Sequence, residues 1–81
     1  MTYPSPEQLN KLYAERQRLV EELGNQEAIH ASDLEKLDRL GRCAVADVHW
    51  LKCSPEARTA LLNDGHHFVR SCAEISASRH P

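Results

Sequence analysis

Apolar positions fall into three runs with helical spacing. In the first, Leu9, Leu12, Tyr13, Leu19, Val20 and Leu23 recur at steps of three and four, and on a helix turning about 100° per residue they share one stripe about 120° wide. Ser5-Pro6-Glu7-Gln8 supplies a start: an N-cap serine, a proline at the first helical position and a glutamine where a capping box needs it. Gly24 supplies a stop, so helix one is expected over about 6–23. Its other positions are charged or polar, with Glu7–Lys11 and Arg18–Glu22 as i,i+4 pairs on the solvated side.

Residues 24–31 read as a connection. Ser32-Asp33-Leu34-Glu35 then forms a second capping-box pattern, followed by Leu34, Leu37, Leu40, Ala44, Val45, Val48 and Leu51, which predicts helix two over about 33–52. Val45-Ala46-Asp47-Val48 does not alternate with period two, so the valines do not indicate a strand. Ser54-Pro55-Glu56 repeats the first start signal. Ala57, Leu61, Phe68, Cys72 and Ile75 continue one face through Asn63-Asp64-Gly65, predicting one helix from 55 to about 77; a competing reading ends a helix at Gly65 and restarts at His66. The small, polar tail from 76 to 81 is expected to fray.

The fold class is therefore all-α, with helices two and three joined by a very short turn into a long antiparallel αα-hairpin. Gly41 stands about twelve residues before that turn and Gly65 about eleven after it, so the hairpin places them at one height, facing each other in close helix approach. The plainer reading makes both glycines helix C-caps.

With 81 residues the chain has room for one domain, 1–81. Its 41% apolar and 27% charged residues are a globular balance, and a net charge of -2 gives no field for a polyanion. A core this small comes close to break-even against chain entropy, which leads to the expectation of completion by a second copy, a homodimer, or by a partner. No window approaches a membrane span, and Met1–Pro6 lacks the basic and apolar regions of a leader; the expected setting is cytoplasmic. Cys43, Cys53 and Cys72 are odd in number and widely spaced, as fits reduced thiols rather than a disulfide framework.

Several residues do not fit a plain core. On a helical wheel Trp50 projects away from Gly41, beside Cys43, Asp47 and Arg39. Either helix one or the 24–31 segment covers it as core, or Leu40, Cys43 and Trp50, with Asp47 beside them, form a second stripe that meets another chain. Arg16 lies at the centre of the helix-one stripe and needs a carboxylate, with Asp47, Asp64 or Glu74 as mates, or else serves as an interface arginine. His49, Cys53, His66 and His67 are the residues a zinc site would draw on, but no C-x-x-C or H-E-x-x-H spacing accompanies them, so no metal or other cofactor is expected.

Leu12-Tyr13-Ala14-Glu15-Arg16 through Leu23-Gly24 resembles part of the long first helix of the all-helical chorismate mutases, over about a sixth of the chain. That family's substrate-ringing residues, an arginine ahead of this stretch and a lysine just beyond the glycine, have no match here, where Asn25-Gln26 follows Gly24. The resemblance therefore implies no mutase activity. A DNA-binding reading needs a short recognition helix and a basic face, and Arg39, Arg42, Lys52 and Arg58 are diluted by Asp38, Asp47 and Glu56. The remaining expectation is a non-enzymatic regulator that sequesters or inhibits another protein, for example a transcription regulator, through a helical face. The alternatives are a zinc-binding or catalytic helical dimer and, third, a DNA-binding protein.

Overall fold

A computed structural model describes residues 5–80. Among them are five α-helices: α1 (Pro6–Gly24), α2 (Ala31–Leu34), α3 (Arg39–Val48), α4 (Pro55–Leu62) and α5 (His67–Arg79), with a single 3-10 turn, Trp50–Lys52, between α3 and α4. The all-α reading holds. The three-helix division does not.

Local chemistry starts the helices where it was expected to. Ser5 and Gln8 form a reciprocal capping box at α1, with the Gln8 amide donating to Ser5 Oγ and the Ser5 amide donating to Gln8 Oε1. Ser54 caps α4 by accepting from the Ala57 amide at 3.1 Å, with Pro55 at the first helical position.

Expected helix two is broken at Glu35–Asp38. The capping function falls two residues earlier than Ser32: the Asp33 carboxylate accepts from the His30 amide at 2.9 Å, and α2 is a single turn. Asp38 then starts α3 afresh, its Oδ1 accepting from the Gly41 amide at 2.8 Å. Leu34 and Leu37 still point inward through the turn, and so the apolar spacing conceals the break.

Expected helix three also divides, as the competing reading had it. The Asn63 side chain donates to the Thr59 carbonyl at 2.8 Å, and the Asp64 carboxylate accepts from the His66 amide at 2.9 Å, folding the chain into a turn before α5. The tail does not fray at Ser76: α5 runs on to Arg79, and the buried Ser76 hydroxyl donates to the Ala46 carbonyl. Pro81 lies outside the described residues.

Cross-helix contacts give the directions. Arg16 meets Asp38 and the Gly24 backbone lies against the His49 ring, so α1 runs parallel to α3. Arg39 meets His66 and Ala46 meets Ser76, so α5 also runs parallel to α3. Between them α4 returns the chain, bringing Asp64 to Arg42. The glycines flanking that pair do not make the expected close approach. A Cβ on Gly65 would meet nothing within 4 Å, and one on Gly41 would meet Leu37 and Asp38 from its own approach loop.

The 24–31 connection is tied down. The Ile29 amide donates to the Lys52 carbonyl and the Ser54 amide to the Ile29 carbonyl, both at 2.8 Å, a one-residue parallel bridge that carries Ile29 into full burial. Ile29 joins Leu23, Leu34, Leu37, Val45, Ala46, Trp50, Cys53, Ala57, Leu61, Val69 and Ala73 in one core.

Candidate interaction surface

Among the described residues, the half of α1 that carries Leu9, Leu12 and Tyr13 has little beneath it. Because α3 begins at Arg39, level with Arg16, α1 from Pro6 to Glu15 extends beyond α3 by about 15 Å at the usual rise of an α-helix. Burial varies along the stripe: Leu23 is buried, Leu9, Leu19 and Val20 are half-buried, and Leu12 and Tyr13 are 51% and 53% exposed. A stripe of this kind on an unsupported helix is ready to pair with another helix.

Arg16 marks the boundary between the supported and free halves. Its guanidinium binds Asp38 through Nε at 3.0 Å and Nη2 at 2.8 Å, and its charge stands over the Tyr13 ring, 5.3 Å from the centroid. Asp38, not Asp47, Asp64 or Glu74, is the carboxylate that answers the stripe arginine. The Arg16 hydrogen bonds hold the Asp38 carboxyl below its usual pKa against the opposing effect of burial, and they raise the Arg16 pKa in turn. Leu12, Arg16, Leu19, Leu37 and Asp38 line a shallow groove of about 170 Å³. Small-molecule sites usually enclose about 300 Å³ or more, so the groove suits a protruding side chain better than a substrate.

The other expected contact residues are dispersed. Trp50 is 4% exposed, packed in the core with the Arg58 guanidinium 5.4 Å from its ring centroid and Arg58 Nε donating to its carbonyl. Its own chain covers it, which corrects the expected stripe of Leu40, Cys43 and Trp50. The wheel assumed an unbroken helix, whereas α3 ends at Val48 and the 3-10 turn rotates the indole inward. Leu40 and Asp47 are exposed, and Cys43 faces Cys72 on α5. Leu40 stands one turn before Ala44, which lines a groove with Tyr13 and Val20, so it extends the α1 surface sideways.

The zinc candidates do not converge. Among the described residues no group of three or more His, Cys, Asp or Glu side chains is placed to hold a metal ion. Cys53 is buried, its Sγ donating to the His49 carbonyl at 3.5 Å rather than meeting the His49 ring, and burial pushes its thiol up to about 11. His66 and His67 stack on each other with centroids 5.2 Å apart.

Asp33, from the expected capping-box pattern, and Asp64, an expected mate of Arg16, organise the loops instead. Asp33 is held below its usual pKa chiefly by the His30 amide. Burial opposes ionisation of Asp64, but hydrogen bonds from Arg42, at 2.7 Å, and the His66 amide outweigh it and lower its pKa. Their signal in the sequence is an acidic residue shortly before a new run of apolar positions. No helix among the described residues is long and apolar enough to cross a membrane. Comparison with protein-family models, curated proteins and solved structures gives no match, so the surface is interpreted from its own residues.

Proposed function

We propose that the chain is a small non-enzymatic regulator that acts by pairing the free half of α1 with a helix of another polypeptide, and that in isolation this helix is α1 of a second copy. The half-exposed Leu12 and Tyr13 on a helix that extends beyond its support carry this reading. The flanking charges select the second copy. Lys11 and Glu15 are exposed and enter no ion pair among the described residues. In an antiparallel two-fold pair centred on Tyr13, Lys11 of each copy falls opposite Glu15 of the other.

A target with the same pattern on its own dimerisation helix, such as a transcription regulator, would exchange with one copy and be held inactive. Breaking helix three removes the objection to DNA binding based on helix length, but the exposed face of α5 includes Phe68, Glu74 and Ile75, which do not form a phosphate-binding surface.

A photo-reactive residue in place of Tyr13 tests the pairing in the full chain. The expected product is an intermolecular crosslink from position 13 to the 9–17 segment of a second copy, growing with concentration. Crosslinks confined to the same chain, or to a surface away from α1, would overturn it.

A further inference from the structure

The helix pair α3 and α5 carries a feature that the α1 surface does not use. Arg39 meets His66 at the start of the pair, and Ala46 meets Ser76 further along. Between these contacts the parallel register sets Cys43 level with Cys72, and the two half-buried thiols pack against the same core, near enough that the Cys72 sulfur helps raise the Cys43 pKa.

The spacing of the helices suits a covalent link. Ala46 and Ala73 are fully buried, and the Ser76 hydroxyl reaches the Ala46 backbone carbonyl directly. A serine hydroxyl is short, so this bond holds the two backbones close at Ala46 and Ser76, one turn beyond Cys43 and Cys72, and a disulfide needs such an approach, with a Cα separation of about 4.4–6.8 Å.

We infer that Cys43 and Cys72 form an oxidisable dithiol site, closed to an intramolecular disulfide by a hydroperoxide, which links α5 to α3. One sulfur attacks the peroxide O–O bond as its thiolate, forming a sulfenic acid and releasing one water after proton transfer. The second sulfur attacks the first, forming the S–S bond and releasing a second water. Two thiols lose two electrons and two protons in total, and one hydrogen peroxide becomes two waters. Burial first, and the Cys72 sulfur after it, push the Cys43 thiol up to about 11, so the reaction is slow at neutral pH and accelerates as alkali supplies thiolate. Cys53 is buried in the core and takes no part.

The test treats the full chain with excess hydrogen peroxide in mildly alkaline buffer, followed by intact mass and non-reducing peptide mapping. Expected are a loss of two hydrogen masses, a linked pair of peptides containing Cys43 and Cys72, reversal by dithiothreitol, and a rise in Tm on the order of 10 °C. Cys53→Ser should react like the wild type, and Cys72→Ser should give no linked peptide. Sulfinic acid at either cysteine without a link, a link through Cys53, a link between two chains, or no thiol loss would each overturn the assignment. Mapping of the wild-type chain decides the matter even if a variant folds poorly.

Discussion

Arg16 and Asp38 join the middle of α1 to the first turn of α3 through two guanidinium nitrogens, and the same carboxylate caps α3 at the Gly41 amide. One aspartate thus ends the supported half of α1 and starts the helix that supports it. Asp38→Ala removes both functions and is expected to cost about 1–2 kcal/mol, most of it from the lost cap, because the ion pair is half-exposed and worth at most about 1 kcal/mol. Asp38→Asn keeps a capping oxygen and should cost less. Urea unfolding of the two variants checks the order.

Acid should weaken the fold through its carboxylates. Asp33, Asp38 and Asp64 all have folded-state pKa values below their ordinary value near 3.8. The unfolded chain therefore binds more protons, and the stability they contribute is complete above that value and drains away as pH falls through the folded values. Asp64→Asn, at the best-enclosed of the cross-helix pairs, should flatten the acid limb of a stability-against-pH curve while leaving its neutral plateau lower.

Gly65 offers a stabilising change. It is exposed, no described glycine has a positive φ, and an added Cβ would meet nothing within 4 Å. Gly65→Ala should raise stability by about 0.4–1 kcal/mol by restricting the unfolded chain. Thermal unfolding measures it, and a loss would show that the turn needs the freedom of glycine.

Trp50 reports on the core. Its emission should be blue-shifted in the folded chain and insensitive to dilution, and Trp50→Ala should cost about 3–5 kcal/mol, enough to leave a chain of this size poorly folded. An indole at an intermolecular contact would instead shift its emission with concentration.

What could be read from the residues follows from the range of the forces involved. The Ser5 and Ser54 starts were legible because capping is settled within four residues. The break at Glu35–Asp38 was not, because Leu34 and Leu37 stay directed inward through the turn; the one at Asn63–His66 was visible only as the competing reading, and beyond it the buried face moves to Val69, Ala73 and Ser76, leaving Phe68 and Ile75 exposed. The α1 stripe was visible, but where its support ends depends on where α3 begins, which is a tertiary fact set by Asp38. Trp50 was misplaced for a related reason: two residues beyond the end of α3, a helical wheel no longer gives its direction.

Sedimentation of the full chain over a concentration series, wild type beside Leu12→Glu, measures the α1 pairing most directly. Leu12 is half-exposed, so the substitution should leave helicity unchanged. The expected result is a reversible monomer–dimer equilibrium for the wild type and a monomer for the variant. A wild type that stays monomeric into the millimolar range, or a folded Leu12→Glu chain that dimerises as well as the wild type, would contradict it.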